Sequence, residues 1–255
     1  MAARKPYIGG NWKMNLHVAQ ADVLAHKLAQ RFSRPEPVDL VICPAFPHLQ
    51  KVGGVLRDAN SSIRLGAQDF YHEPNGAFTG EVSLSMLEDV GVSAVLVGHS
   101  ERRHVLKEQN QLVNAKCLAA LNAWMQVIFC VGEKIEQRES NQMERVITDQ
   151  LSSGLEGVTS EQMAQVTIAY EPVWAIGTGH AATPADAQAA HTAIRNHLAK
   201  MFGHLLAQTV RIQYGGSVNP KNAAELFAQP DVDGFLVGGA SLVTDHFLAI
   251  IDVAR

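Results

Sequence analysis

Three short segments end in side chains that could move a proton. In Ala169-Tyr-Glu-Pro-Val-Trp-Ala-Ile-Gly-Thr-Gly179, Glu171 follows an apolar, β-branched run. A carboxylate at the mouth of a buried strand loses hydration, which should raise its pKa and make it a usable base. In Val97-Gly-His-Ser-Glu-Arg-Arg103, His99 follows another such run and Ser100-Glu101 can open a helical turn. The positive end of that turn disfavours an imidazolium, and a neutral imidazole can donate from one nitrogen beside a carbonyl. Read alone, His99 is equally well a hydrogen-bonded structural histidine. In Gly9-Gly-Asn-Trp-Lys-Met-Asn15, Lys13 stands just past a third run, either as a site residue or as an ordinary solvated lysine. Glu101 and Arg102 read as a structural ion pair. Glu101-x-x-His104 has the spacing of a di-iron ligand pair, but no second copy exists, so no metal is expected.

Beyond Glu171, Pro172 gives a stiff entry, Ala175-Ile176 an apolar tip with Trp174 exposed, and Gly177-Thr-Gly179 a permissive exit. Residues 172–179 therefore read as a lid. Gly177 to Ala182 also fits G-x-G-x-x-A, but the acidic residue that should follow for a ribose is missing. Two glycine pairs follow strands, in Tyr214-Gly-Gly-Ser217 and Val237-Gly-Gly-Ala240. Either could be a tight turn. Two at consecutive strand ends, with Ser217 adjacent, favour an anion held on backbone N–H groups. The connection from Gln68 to Glu81 lacks helical period and carries the apolar tip Ala77-Phe-Thr79. It either folds back on its own core or docks a second subunit, and docking is the favoured reading.

These residues need a frame that delivers them to one place. Eight strand-like runs are present: Pro6–Gly9, Val38–Cys43, Ile63–Gly66, Ala94–Val97, Val127–Val131, Val166–Tyr170, Val210–Tyr214 and Gly234–Val237. Their scarcity of alternating polar residues indicates strands buried on both faces, as in parallel sheets. Helical stripes lie between them, at Val18, Ala21, Ala25, Leu28 and Phe32, and at Leu112, Ala115, Leu118 and Leu121. Thr183-Pro184 reads as an N-cap with proline at the first helical position, and Asn219 as the cap of the next helix. Eight βα units in 255 residues match an α/β fold of the (β/α)8 barrel type, and a doubly wound open sheet is the rival. No linker or composition shift divides the chain, so residues 1–255 read as one domain.

Composition narrows the partners. The net charge of −4 offers no basic excess for nucleic acid or an anionic membrane. No run approaches a membrane span, and the first residues lack a signal-peptide core. Three widely spaced cysteines suit a reducing, cytoplasmic setting and make neither a disulfide framework nor a zinc site. Walker A, H-E-x-x-H and G-x-S-x-G are absent.

Taken together, Gly10–Asn15, Gly98–Arg103, Ala169–Gly179, Tyr214–Ser217 and Gly238–Ser241 closely resemble the triosephosphate isomerase family, in its order and spacing from Gly9 to Leu242. The resemblance implies an aldose–ketose isomerase of glycolysis and gluconeogenesis. It would interconvert dihydroxyacetone phosphate and D-glyceraldehyde 3-phosphate through a cis-enediolate, without cofactor. By resemblance, Glu171 is the base and a neutral His99 polarises the carbonyl and relays protons. Lys13 offsets the oxyanion and phosphate charge, Asn11 orients the substrate oxygen and Glu101 positions Lys13. The phosphate would sit near Gly177, Ser217, Gly238 and Gly239. The 68–81 loop, with Thr79, would reach into a partner's site in a homodimer. Gln109-Asn110 departs from the family's usual Ser-Asp, and Cys130 reads as structural. Two other readings differ in kind, a nicotinamide-dependent dehydrogenase and a non-catalytic phosphosugar-binding barrel. The missing ribose acid opposes the first, and the intact Lys13, His99 and Glu171 oppose the second.

Overall fold

In the computed structural model, which describes residues 4–33, 35–176 and 182–255, eight parallel strands close into a barrel in sequence order. They are β1 (Tyr7–Asn11), β2 (Asp39–Cys43), β3 (Arg64–Ala67), β4 (Val92–Val97), β5 (Gln126–Val131), β6 (Val166–Tyr170), β7 (Arg211–Tyr214) and β8 (Gly234–Val237). The ring is sealed where Tyr7 stands opposite both Asp39 of β2 and Gly234 of β8. Each strand lies within a residue or two of its predicted run, and the open doubly wound alternative is excluded by closure.

Side chains alternate between two cores. Tyr7, Val41, Cys43, Ala94, Leu96, Ile128, Cys130, Ala169 and Leu236 fill the barrel interior. Their neighbours along the strands, such as Val127, Phe129 and Val131, pack outward against the helices. Both faces are therefore dry, which is why the strands lack polar alternation; each buried aliphatic side chain contributes about 1.5–3 kcal/mol. Small residues make the interior possible. A Cβ added at Gly66 would lie 2.5 Å from Cys43 Sγ.

The outer layer comprises α1 (Val18–Arg31), α2 (Leu49–Asp58), α3 (Leu84–Asp89), α4 (Ser100–His104), α5 (Asn110–Asn122), α6 (Ile135–Glu139), α7 (Met143–Gly154), α8 (Pro184–Phe202), α9 (His204–Ala207), α10 (Ala223–Phe227) and α11 (Thr244–Asp252). As expected, Thr183 caps α8: its hydroxyl accepts the Asp186 N–H, and the Asp186 carboxylate accepts the Thr183 N–H. Two expectations need correction. Asn219 does not cap α10, which begins at Ala223. Its side chain instead accepts the Lys221 N–H two residues on, closing a local turn. The buried stripe of α5 is Val113, Lys116, Cys117, Ala120 and Leu121, not the stripe on Leu112. Lys116 belongs inside because its ammonium lies 2.6 Å from Asp69 and 2.5 Å from Glu108.

In the outer layer, His191 of α8 is fully buried against the rings of Tyr170 and Tyr214. Its Nδ1 donates to the Asp231 carbonyl at 2.9 Å, and burial pushes its pKa down to about 4 from the ordinary 6.5. Between those values the unfolded chain binds a proton that the native state refuses, so stability falls as pH drops from 6.5 to 4. The gap is worth about 3 kcal/mol. In His191→Asn, which keeps a donor for Asp231, the loss of unfolding free energy between pH 7 and pH 4 should shrink by about that amount. Urea titrations at the two pH values measure it, and an unchanged pH dependence would contradict the assignment.

Candidate active site

All the sequence-predicted residues that fall in the described regions around the pocket come from the carboxyl ends of strands. Asn11 ends β1 and Lys13 follows it; His99 and Glu101 follow β4; Glu171 follows β6 directly. Asn11, Lys13, His99 and Glu171 line one cavity of about 400 Å3 together with Ser217, Gly238 and Gly239. Gly177 lies outside the described residues. Glu101 is not part of the cavity lining; it reaches the site through Lys13.

The central contact is between Glu171 and His99. Glu171 Oε1 lies 2.9 Å from His99 Nε2, and Oε2 accepts the Ser100 N–H at 2.8 Å. On the other side of the ring, Nδ1 accepts the Glu101 N–H at 3.2 Å. An amide can only donate, so Nδ1 holds a lone pair and the imidazole proton sits on Nε2, facing the carboxylate. This is the neutral donor expected at a helix N-terminus, since His99 is itself the N-cap of α4.

The expected rise in the Glu171 pKa is not found. Burial does push it up, but the hydrogen bond from His99, the Ser100 N–H and the Lys13 cation draw it down. Together they hold the carboxyl below the usual carboxylate range.

Lys13 is placed by its backbone as much as by its side chain. Its φ of 52° is left-handed, a costly state for a non-glycine residue. Asn11 Oδ1 accepts its N–H at 3.0 Å, and Gln68 donates to its carbonyl at 2.8 Å. The ammonium sits 2.6 Å from Glu101 Oε1. Glu101 therefore pairs with Lys13, while Arg102 pairs with Asp69 at 2.8 Å and Glu108 at 2.7 Å. The expected Glu101–Arg102 pair is not formed, because α4 turns the two side chains toward different neighbours.

The glycine pairs differ in purpose. A Cβ at Gly215 would press on Glu171 Cγ at 3.0 Å, and one at Gly216 would lie 2.2 Å from the Tyr214 hydroxyl. Those glycines line the cavity and also make room for protein. At Gly239 nothing lies within 4 Å of a Cβ position, and a 3-10 turn, Gly239–Leu242, starts there. Its first N–H groups have no acceptor within the turn and border the cavity, which suits an anion.

The entry to the 172–179 segment is more buried than expected. Ala175 is buried, Ile176 lines the cavity and Trp174 is half-buried. Trp174 Nε1 donates to Glu133 Oε1 at 2.8 Å, and Glu133 also accepts from the Tyr170 hydroxyl at 3.0 Å.

The sequence matches the family model described as Triosephosphate isomerase over residues 6–254. The chain is similar to proteins of that name from Chloroflexus aurantiacus, at 51% identity over 248 residues, and from Carboxydothermus hydrogenoformans, at 50%. In both, the alignment covers 97% of this chain and 98% of the relative. A third, from Chlorobium phaeobacteroides, is 46% identical over 252 residues, covering 98% of this chain and 99% of the relative.

The chain belongs to the triosephosphate isomerase family.

Five motifs point to that family, while other residues that hold the triosephosphate isomerase pocket in shape carry no motif. Ser100 contributes only its amide, so its side chain gives no signal. Gln68 stands at the start of a loop, and its amide braces the Lys13 carbonyl. Gly132, between β5 and Glu133, lies so close to Glu171 that a Cβ there would stand 1.8 Å from the Glu171 carbonyl oxygen. A lone glycine after a strand gave no hint of that contact. Among the described residues no group of three or more His, Cys, Asp or Glu side chains could hold a metal ion. All three cysteines are buried, and burial pushes the Cys43 and Cys117 thiols up to about 12.

Proposed function

We propose that this chain interconverts dihydroxyacetone phosphate and D-glyceraldehyde 3-phosphate, a step of glycolysis and gluconeogenesis, through a cis-enediolate and with residues 1–255 acting as one barrel domain. The observation that carries the reading is the pairing of a buried carboxylate with an imidazole whose proton points into the same cavity. Proton removal beside a carbonyl needs one base, one electrophile and one cation. Glu171 is the base. His99 Nε2–H donates to the substrate carbonyl oxygen, and the ring then carries protons between the two enediolate oxygens. Lys13, set by Glu101, offsets the growing oxyanion. Asn11 has no protein partner for its amide nitrogen among the described residues and orients the substrate oxygen. The phosphate rests on N–H groups at Gly239 and beside Ser217, Gly238 and Gly177, and residues 172–179 close over it.

The depressed Glu171 pKa fits this scheme. When substrate enters between the two side chains, His99 turns its donor to the carbonyl and Glu171 loses a bond that had held it acidic. Losing that bond removes one of the interactions that lower its pKa, so the base strengthens as substrate binds. Purified protein in a coupled assay with glyceraldehyde 3-phosphate should turn over without added metal or nucleotide. Turnover that required NAD would overturn the reading.

The working unit is a homodimer in the cytoplasm, assembled through the 68–81 loop. Asn75 Oδ1 accepts the Ser83 and Ser85 hydroxyls, and Phe78 packs at a tilt against Tyr71 with ring centroids 4.6 Å apart, so the loop has a defined shape. Its tip nevertheless stands in solvent, with Phe78 40% exposed. Met14, Phe46, Met86, Val105 and Leu106 are also exposed. A second copy seated on the loop tip would cover Phe78 and the apolar stretch Ala77-Phe-Thr79. Thr79→Arg would bury a charge there, costing about 3 kcal/mol. The elution volume on a sizing column should shift toward the monomer as the rate falls. Unchanged mass with unchanged rate would remove the interface. Among the described residues no helix is long and apolar enough to cross a membrane.

A further inference from the structure

A groove of about 1010 Å3, larger than the catalytic cavity and sharing none of its lining residues, runs between α4, α5, α6 and α7. Four cations line it: Arg103, Lys107, Lys134 and Arg145. Its two acids leave most of that charge uncompensated. Glu108 is already engaged by Lys116 at 2.5 Å and Arg102 at 2.7 Å, in a cluster where Asp69 supplies the second negative charge. Asp149 alone remains, accepting a bond from Asn110.

The cations are poorly served by the protein. Arg103 is buried, yet its guanidinium bonds only neutral acceptors: the Gly98 carbonyl at 2.7 Å, Asn110 Oδ1 at 2.7 Å and the Cys130 carbonyl at 3.2 Å. Lys107 donates to the His104 carbonyl at 2.7 Å. Lys134 and Arg145 have no acceptor for their charged ends among the described residues. His104, also in the lining, has a buried Nε2 with no partner. Burial, and the crowding of Lys134, Arg103 and Lys107, hold its pKa below the ordinary histidine value. The groove concentrates positive field in a protein whose net charge is −4. Its lining contains no aromatic ring other than the two imidazoles, so it offers no platform for stacking a nucleobase.

We propose that this groove is a second anion site, separate from the catalytic one, which takes a small molecule bearing two phosphate groups on Lys107, Lys134 and Arg145, with the Arg103 charge behind them. Recognition is by charge-assisted hydrogen bonds, so inorganic pyrophosphate and a sugar bisphosphate present the same chemistry.

Calorimetric titration with sodium pyrophosphate in metal-free buffer tests the site. Because pyrophosphate could also enter the catalytic cavity, the titration is run on Gly239→Asp, which puts a carboxylate into open space at that anion-binding turn. Gly239→Asp should still take up one equivalent per chain. Adding Lys134→Glu and Arg145→Glu, both on the surface, should weaken that binding by about tenfold or more. A parallel titration with fructose 1,6-bisphosphate tells whether linked or separated phosphates bind better; tighter binding of either supports the site. Loss of all binding in Gly239→Asp alone, or an unchanged Kd after the two charge reversals, would overturn it.

Discussion

Glu171→Gln should lower kcat for glyceraldehyde 3-phosphate by about 10^3-fold, within the range expected for loss of a positioned general base. The amide is nearly isosteric, so substrate should still bind and KM should change little. Gln can offer its carbonyl oxygen to the Ser100 N–H or to His99 Nε2, which keeps the local geometry. Stability at neutral pH should fall modestly, because the partners that hold Glu171 ionised outweigh the cost of burying its charge. Its folded pKa lies below the unfolded one, so its ionised form contributes stability that is present above the unfolded pKa and lost as pH falls through the folded value. Glu171→Gln should therefore lose less stability than the parent on acidification below about pH 4.5. Steady-state kinetics paired with thermal melts decides the matter. A folded variant that keeps parental kcat would show that Glu171 is not the base.

The second large effect is expected at Lys13. Lys13→Met keeps the bulk of the side chain and removes the ammonium. It should cut kcat/KM by about 10^2–10^3-fold, the scale of losing one preorganised charge beside a developing oxyanion. Lys13→Gly separates function from folding. Glycine relieves the left-handed backbone at φ 52°, a state that costs a side-chain-bearing residue about 1 kcal/mol. The ion pair it removes is half-exposed at Glu101 and contributes little. Lys13→Gly should thus melt no lower than the parent while its activity collapses. Near-parental kcat/KM in either variant would remove Lys13 from the mechanism.

The barrel was legible because its signal is local. Runs such as Val127–Val131 are apolar on both faces, and each is followed by residues out of keeping with a core, such as His99 after β4 and Glu171 after β6. Sequence order alone carried those side chains to one end of the barrel. What depends on partners far along the chain was not legible. Burial of Glu171 could be inferred from its neighbours, but the amide of Ser100, 71 positions away, could not, and the pKa shift took the opposite sign. Lys116 broke the α5 stripe because Asp69 and Glu108, from two other segments, neutralise it. Gly215 and Gly216 line the cavity, as the anion-cradle pattern suggests, but that their missing side chains also make space for Glu171 and Tyr214 was not legible. Asn219 had a capping residue's identity but spent its side chain two residues early.

Closure of β8 onto β1 means that the first and last strands are neighbours like any other pair. Where the polypeptide begins is then a matter of covalent convenience. A circularly permuted gene, cut in the exposed stretch around Ser140–Gln142 and rejoined by a tether long enough to span the present ends, would still encode the same ring of strands and the same mouth.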